Sequence, residues 1–249
     1  MPDPTIKIVI PARNEEDAIG PVVSSVVNQV DSVIVADNGS TDRTAAMARA
    51  AGAKVVSVPD AGYGRACLAA IDAAGDLDIL VFMDGDASDD PADLKALLEP
   101  ILSGEADMVI GSRILGDCDP GSLTPQQRFG NTLACRLMHL IWGFRFTDLG
   151  PFRAIRKTAY DRLNMQAPTF GWTVEMQVRA LKHGLKCAEI PVHYRKRIGV
   201  SKISGTVRGV VLAGWYILGT IFLEAFRGKQ QAPTMTPDTR ATLTPRDKG

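Results

Sequence analysis

The fold is decided by Leu80-Val81-Phe82-Met83-Asp84-Gly85-Asp86, an unbroken apolar run that ends in two carboxylates separated by one glycine. Such a run is typical of a strand buried on both faces of a parallel sheet. Residues two apart on an extended chain point to the same side, so Asp84 and Asp86 can share one divalent cation. Carboxylate oxygens are ligands that Mg²⁺ and Mn²⁺ prefer. The stretch therefore predicts a buried strand whose tip carries two carboxylates, which either share a metal or divide a metal and a ribose between them.

Four further apolar runs occur in the first 112 residues, and helical patterns separate the runs. The predicted strands are residues 6–10, 32–36, 54–58, 78–83 and 107–111. The predicted helices are residues 17–29, 42–51, 64–74 and 91–103. Strands that alternate with helices are typical of a mostly parallel sheet covered by helices on both faces, and we predict this α/β architecture.

After Arg113 the alternation becomes irregular. Residues 115–127 form a predicted loop that is rich in glycine, proline and aspartate. The later predicted elements are a helix over residues 126–144, a turn and strand over 147–156, a helix over 173–183 and a strand over 188–194.

A polar cluster follows each of the first four predicted strands. These clusters are residues 11–16, 37–42, 60–65 and 84–90. Ligands of open α/β sheets bind beyond the carboxyl ends of the strands, so we expect the four clusters to converge on one site. Capping is the simpler explanation for two positions: Asp42 caps one helix, and Asp89 or Asp90 caps the next, with Pro91 in its first turn.

Composition limits the class of protein. The chain has 249 residues, 45% of them hydrophobic and 22% charged, which suits one large α/β domain. Its mean hydropathy of +0.02 argues against a multispan membrane protein. The four cysteines have no metal-binding spacing and suggest buried thiols in a reducing compartment. The first strand is predicted from Ile6, so we expect no signal peptide and a cytoplasmic location.

The net charge of zero conceals two oppositely charged halves. Residues 1–120 carry 8 Lys and Arg against 21 Asp and Glu, whereas residues 121–249 carry 20 against 7. An acidic half can hold a cation, and a basic half can meet phosphate or anionic lipid. Mutual attraction of the two halves is the simpler alternative. We expect no nucleic-acid partner. Whether the protein forms homo-oligomers is left open.

Three of the motifs together resemble the family 2 glycosyltransferases. Pro11-Ala12-Arg13-Asn14-Glu15, Asp37-Asn38-Gly39-Ser40-Thr41-Asp42 and Asp84-Gly85-Asp86 follow one another in the family's order and at about its separations. The resemblance covers roughly residues 5–205. It implies the GT-A fold of nucleotide-diphospho-sugar transferases, an inverting transfer of a sugar from a nucleotide diphosphate, and a role for Asp86 in catalysis as a metal ligand.

The resemblance also implies a set of donor-binding residues. They are Pro11, Asn14, Glu15, Asp37, Gly62, Asp84 and Arg113. Asp37 is the implied acceptor of hydrogen bonds from the base, and the segment around Gly62 is implied to close over the nucleotide. Gly62 and Gly64 match a dinucleotide fingerprint poorly, which disfavours an NAD-dependent dehydrogenase.

The second half resembles the branch of dolichyl-phosphate mannose synthases and their bacterial polyprenyl-phosphate relatives. The elements that carry this resemblance are Ile110-Gly111-Ser112-Arg113, Arg128, Asp148-Leu149-Gly150-Pro151-Phe152-Arg153, Gly171-Trp172, Glu189-Ile190-Pro191-Val192 and Arg197-Ile198-Gly199-Val200-Ser201-Lys202. It implies a polyprenyl phosphate acceptor and phosphate contacts from Arg113, Arg128, Arg197 and Lys202. Guanidinium groups suit this role because they bind phosphate oxygens in pairs.

The chain departs from the family in two respects. The element around Asp148 is one residue shorter than usual, and neither the Glu/Asp-Asp nor the Gln-x-x-Arg-Trp signature occurs. Glu175 and Asp148 are then the candidates for a general base. A hydroxyl acceptor would need one, whereas a lipid phosphate is already anionic.

Three other functions stay open beside transfer to a lipid phosphate. The first is transfer to a saccharide or small-molecule hydroxyl. The second is a sugar-nucleotidyltransferase, although residues 11–16 lack the glycine-rich loop of that class. The third is a non-catalytic nucleotide-sugar sensor.

Three segments are predicted: a glycosyltransferase domain over residues 1–205, an apolar helix over 206–227 and a disordered tail over 228–249. Residues 209–223 carry no charge. As a helix they would reach about 22 Å, which is short of the ~30 Å hydrocarbon core. We expect this helix to lie at the cytoplasmic face of the membrane, with packing on the domain, oligomer formation or a true membrane span as alternatives.

Overall fold

The computed structural model describes residues 3–199 and 207–227. Seven strands form one central sheet in the order β3-β2-β1-β4-β6-β5-β7. The strands are β1 Ile6–Ala12, β2 Ser32–Asp37, β3 Lys54–Ser57, β4 Ile79–Phe82, β5 Met108–Ser112, β6 Arg153–Arg156 and β7 Cys187–Pro191. All neighbouring pairs are parallel except those of β6, which runs antiparallel to both β4 and β5.

Eight α-helices occur in the described residues. They are α1 Ile19–Val26, α2 Thr44–Ala50, α3 Tyr63–Ala74, α4 Leu94–Leu102, α5 Pro125–Trp142, α6 Lys157–Leu163, α7 Trp172–Lys182 and α8 Val207–Phe226. A short 3₁₀ turn, Pro91–Asp93, leads into α4, and the side chain of Asp90 caps it by accepting from the Ala92 N–H. The predicted helix cap at this position is confirmed.

The sheet is buried on both faces, as its apolar strands require. Leu80 and Phe82 of β4 pack in one core with residues of α3, α5 and α7. Ile79 and Val81, which point the other way, pack in a second core with residues of α1 and α4. The alternation of side chains along a strand thus divides one apolar run between two cores. The predicted fold class, a mostly parallel sheet with helices on both faces, is confirmed.

Hydrogen bonds from backbone N–H groups mark the turns that precede two of the predicted elements. The turn and strand expected over residues 147–156 are a turn, in which the N–H groups of Thr147 and Asp148 donate to the carboxylate of Glu189, and then β6. The first helix begins at Ile19, two residues later than expected, after a turn in which Ala18 and Ile19 donate to the Glu15 carbonyl.

The helix α8 packs against α5 and α7. Ion pairs fix its C-terminal end: Glu224 lies 3.0 Å from Arg179 and 2.9 Å from Lys182, both of α7. None of the helices in the described residues is long and apolar enough to cross a membrane. The prediction of a disordered tail falls on residues 228–249, which lie outside the described residues.

Candidate active site

A cavity of about 390 Å³ lies at the carboxyl ends of β1, β2 and β4. Its walls come from the loops after these strands, the start of α3, residues 169–170, Arg197 and α8. The expected convergence of the polar clusters is therefore present. The predicted site residues that line the cavity are Pro11, Glu15, Gly62, Asp84, Asp86 and Arg197.

Asp84 and Asp86 lie in a tight turn directly after β4. The Asp84 N–H donates to Asp89 Oδ2 at 2.9 Å, and Tyr63 Oη donates to Asp84 Oδ1 at 3.4 Å. The N–H of Ser88 donates to Asp86 Oδ1 at 3.0 Å. Burial, together with the charge of Asp86, raises the pKa of Asp84 to about 7. Crowded, desolvated carboxylates of this kind are stabilised when a cation joins them.

Gly85 has a packing role between the two aspartates. A Cβ placed there would lie 3.2 Å from the Ala12 Cβ and 3.3 Å from side-chain atoms of Ile10 and Ile19. The turn therefore packs closely on β1 and α1. A side chain at residue 85 would push the two carboxylates away from the floor of the cavity.

The chemistry of this turn fits Mg²⁺ or Mn²⁺. The described residues hold no group of three or more His, Cys, Asp or Glu that could bind a metal unaided. Two carboxylates suffice for Mg²⁺, which usually keeps several waters and completes its shell with substrate phosphates. Asp84 and Asp86 are thus suited to a metal that arrives with a phosphorylated ligand.

Arg197, from a later segment of the chain, contacts the same turn at the cavity. Its Nη1 lies 3.1 Å from Asp86 Oδ2, and its Nη2 lies 2.7 Å from Glu15 Oε1. Its segment, residues 193–198, is held against the acidic turn: the N–H groups of Arg195 and Ile198 donate to the carbonyls of Ser88 and Asp86. The basic second half of the chain thus meets the acidic first half at the cavity.

Asn14 and Asp37 join the first two loops but do not line the cavity formed by the described residues. Asn14, which has a φ of 52°, accepts from the Thr41 N–H at 2.8 Å. Asp37 Oδ1 accepts from the Ser40 N–H at 3.1 Å. Their contacts fix the shape of the loops around the cavity, and base recognition by Asp37 stays a prediction.

Asp148 has the contacts of a structural residue, and its role as a general base stays a prediction. Its side chain is wholly buried, and both of its oxygens accept from the Arg113 guanidinium at 2.7 Å. Arg113, predicted to bind phosphate, also stacks 5.0 Å above the Tyr194 ring. Neither side chain lines the cavity. The pair instead joins the end of β5 to the loop before β6.

Glu175 likewise has structural contacts, and its role as a general base also stays a prediction. Its buried carboxylate accepts from the N–H groups of Gln166 and Ala167 and pairs with Arg179 at 2.8 Å. These contacts hold the segment that supplies Thr169 and Phe170 to the cavity wall. Glu175 therefore acts on the site through the backbone.

The remaining predicted phosphate ligands are Arg128 and Lys202. Arg128 is exposed near the start of α5 and does not line the cavity. Lys202 lies outside the described residues. Phosphate binding by either residue stays a prediction.

The cavity also contains residues that the sequence analysis did not name as candidate site residues. Asn38 accepts from the Gly62 N–H at 3.0 Å, and Tyr63 contacts Asp84. Phe170 and Tyr216 form an edge-on aromatic pair with ring centres 6.4 Å apart. Tyr216 belongs to α8, which is far along the chain from the other loops, so no local pattern points to it.

The glycines before α3 did carry a usable signal. A Cβ on Gly62 or Gly64 would collide with the carbonyl oxygens of Pro168 and Ala167. Closely spaced glycines at a helix start thus indicated that another backbone segment approaches there.

Comparison with known proteins agrees with this geometry. The chain is 33% identical over 230 residues to the glycosyltransferase AglJ of Haloferax volcanii, covering 91% of this chain and 73% of that protein. It is 30% identical over 210 residues to a dolichyl-phosphate hexose transferase of the same organism, covering 83% of this chain and 90% of that protein.

A solved structure shares the fold. It is glucosyl-3-phosphoglycerate synthase from Mycobacterium tuberculosis in complex with Mn²⁺, UDP-glucose and phosphoglyceric acid. The match has a TM-score of 0.72 and 25% identity and covers 90% of this chain and 80% of that one. The sequence model of glycosyl transferase family 2 matches residues 7–164, which contain the loops after β1, β2 and β4. The chain belongs to glycosyl transferase family 2.

Proposed function

We propose that this glycosyltransferase transfers a hexose from a nucleotide-diphosphate sugar to polyprenyl phosphate, with inversion at the anomeric carbon. The observation that carries the proposal is the pair Asp84 and Asp86 at one cavity, with Arg197 Nη1 3.1 Å from Asp86 Oδ2. The bound Mn²⁺ and UDP-glucose of the structurally similar synthase support the donor half of the proposal. The name of the dolichyl-phosphate hexose transferase supports the acceptor half.

The residues of the cavity would bind different parts of the donor. Asp84 and Asp86 would hold Mg²⁺ or Mn²⁺, which when bound supplies a Lewis acid for the departing diphosphate. Arg197 adds a positive charge on the same side of the cavity. Phe170 and Tyr216 form an apolar wall that reduces the access of water to the sugar. The chain thus orients the donor and stabilises its leaving group.

The carboxylates of the cavity all have other roles than that of a general base, which favours a phosphate acceptor over a hydroxyl. Among the described residues, the carboxylates that line the cavity are Glu15, Asp84 and Asp86. Glu15 is paired with Arg197, and the other two suit the metal. Because Asp148 and Glu175 are engaged elsewhere, none of the predicted general bases faces the cavity. An acceptor oxygen that is already anionic needs no base.

Two helices present apolar side chains suited to the membrane that holds such an acceptor. On α5, Phe129, Leu133 and Leu140 are exposed at a spacing that places them on one side of the helix. On α8, Leu212, Trp215, Phe222 and Phe226 do the same. We call these residues the apolar surface. An apolar helix face beside basic residues is typical of helices that lie in a membrane interface.

The charges around the apolar surface favour an anionic membrane. The helix α5 contains Arg128 and Arg136 and no acidic residue. In the described part of α8 the acidic residue is Glu224, which is buried in ion pairs with α7. We therefore infer that the enzyme is peripheral at the cytoplasmic face of the membrane, with α5 and α8 in contact with anionic lipid.

The decisive experiment measures lipid-linked sugar. Purified protein is incubated with Mn²⁺ and UDP- or GDP-sugars, with and without polyprenyl phosphate. We expect product with one donor class, and its loss in Asp86→Asn and after chelation of the metal. The matched control is Asp72→Asn, which removes an exposed carboxylate on α3. Undiminished product in Asp86→Asn would refute the metal site.

The same experiment tests the alternative acceptor. Absence of lipid product with every donor would refute the polyprenyl phosphate acceptor. Phosphoglyceric acid, which the structurally similar synthase binds, is then the hydroxyl acceptor to try.

A further inference from the structure

Arg197 engages the oxygen of Asp86 that a metal would need. Asp86 Oδ1 accepts hydrogen bonds from the N–H and the hydroxyl of Ser88. Asp86 Oδ2 lies 3.1 Å from Arg197 Nη1. Both oxygens of this predicted ligand are therefore engaged before any ligand binds. A divalent cation that binds Asp86 through Oδ2 competes with the positive charge of the guanidinium for the same oxygen.

The position of Arg197 is fixed from a second direction. Its Nη2 lies 2.7 Å from Glu15 Oε1, so the guanidinium bridges the loop after β1 and the turn after β4. Within the described residues, its buried Nε has no hydrogen-bond partner. A buried donor without an acceptor is costly, and a phosphate oxygen would satisfy it. The guanidinium is thus held by two carboxylates while one of its donors suits an anion.

We propose that Arg197 is the internal counter-ion of the metal site. Its guanidinium leaves Asp86 only when a nucleotide diphosphate is bound. Without nucleotide, the guanidinium neutralises Asp86 and Glu15 and competes with the cation. With nucleotide, the diphosphate draws the guanidinium away from Asp86, and the metal takes its place. Metal and nucleotide diphosphate then bind cooperatively, although Arg197 itself opposes the metal. This inference rests on the metal site of the proposed function.

Linkage makes this arrangement measurable. If the nucleotide increases the affinity for metal by some factor, the metal increases the affinity for nucleotide by the same factor. Charge-assisted hydrogen bonds of partly buried groups contribute about 1.5–3 kcal/mol each, roughly a tenfold change in affinity or more. The Arg197 side chain is 27% exposed, so solvent screening places the expected effect near the lower end.

The experiment measures Mn²⁺ binding in the full chain by the electron paramagnetic resonance signal of free Mn²⁺. Titrations are made with and without UDP for the unaltered protein and for Arg197→Gln. Without UDP, we expect Arg197→Gln to bind Mn²⁺ about tenfold more tightly than the unaltered protein, because the competing cation is gone. We expect the gain in Mn²⁺ affinity on adding UDP to be smaller in this variant by a similar factor.

A matched control separates direct competition from a general change of charge. Arg195→Gln removes the same charge from the same segment, but Arg195 pairs with Asp90 at 2.7 Å and not with Asp86. We expect this variant to bind Mn²⁺ like the unaltered protein. An equal gain in Arg195→Gln and Arg197→Gln would overturn the inference, as would no gain in Arg197→Gln.

A second substitution covers the case in which Arg197→Gln does not fold, which circular dichroism would reveal. In Arg197→Lys the charge stays, but a single ammonium cannot form the two-pronged bridge between Asp86 and Glu15. We expect the effect of UDP on Mn²⁺ affinity to lie between those of the other two proteins. An unchanged effect in a folded Arg197→Lys would overturn the inference.

The outcome for Asp86→Asn distinguishes this inference from the proposed function. Mn²⁺ binding with UDP that is lost in Asp86→Asn but unaffected by both Arg197 variants would refute only the counter-ion role. Absence of Mn²⁺ binding in the unaltered protein with UDP would refute the metal site, and this inference with it.

Discussion

Asp148→Asn is expected to lower the free energy of unfolding while leaving the chemical step largely intact. The substitution removes the charge that Arg113 faces through two 2.7 Å contacts, in a place where Asp148 is wholly buried. Loss of one partner from a buried ion pair costs about 3–5 kcal/mol. Asparagine keeps one acceptor oxygen of the same shape, so we expect about 3 kcal/mol, at the low end of that range.

The magnitude is large enough to measure by calorimetry and by denaturation in guanidinium chloride. In a chain of this length, 1 kcal/mol lowers Tm by about 2–4 °C, so Tm should fall by about 6–12 °C. The control is Asp117→Asn, which removes an exposed carboxylate from the neighbouring loop. Its free energy of unfolding should change by less than about 0.5 kcal/mol.

Turnover measured well below Tm provides the refuting result. Loss of a general base lowers kcat by about 10²–10⁴-fold. If Asp148→Asn melts like the unaltered protein but loses turnover by such a factor, the structural role is wrong. The residue would then act on the reacting atoms, and the acceptor would be a hydroxyl.

Three further predictions concern other parts of the structure. Burial raises the pKa of Glu189 to about 7, so its contribution to stability is present at low pH and is lost as pH rises from about 4.5 through 7. The free energy of unfolding, measured from pH 5 to 8, should therefore fall relative to Glu189→Gln, and parallel curves would contradict this. Gly64→Ala should raise the donor KM, because the new Cβ would displace the Ala167 carbonyl. The control is Gly130→Ala in α5, where a Cβ has open space and the donor KM should not change. Equal KM values in the two variants would contradict the role of the close approach at Gly64. The Trp215 side chain is 76% exposed, and Trp215→Glu should reduce the fraction of protein that sediments with phosphatidylglycerol vesicles. The control is Ser24→Glu at an exposed position on α1, which should not reduce it. Equal sedimentation of the two variants would refute membrane contact by the apolar surface.

The parts of the fold that depend on local patterns were predictable from the sequence. The strand β4 follows from its apolar run, and the acidic turn after it follows from the end of that run. The parallel pairing of β1 with β2 and β4, and of β2 with β3, follows from the alternation of strands and helices. The antiparallel insertion of β6 between β4 and β5 did not follow from any such pattern, since it depends on pairing over more than 70 residues.

The candidate site divides in the same way. Carboxylates at strand ends could be placed at the cavity because a parallel sheet brings those ends together. Asp148 and Glu175 were predicted as bases because a motif identifies a residue type and not its partners. Only the structure shows that Arg113 and Arg179 neutralise them. Tyr216 was unpredictable because α8 returns to the cavity from the far end of the described chain.

The position of β6 also has a consequence for the order in which the chain folds. The inner edge of β4 pairs with residues 153–156, which follow it by about 70 positions. Before residues 153–156 pair with β4, this apolar strand has one row of unpaired backbone groups. Such an edge can pair with a strand of another chain. The acidic half contains most of the donor loops, yet we expect that it cannot fold without β6. A fragment that ends before Arg153 should aggregate, and a growing chain should complete its sheet only after β6 has left the ribosome.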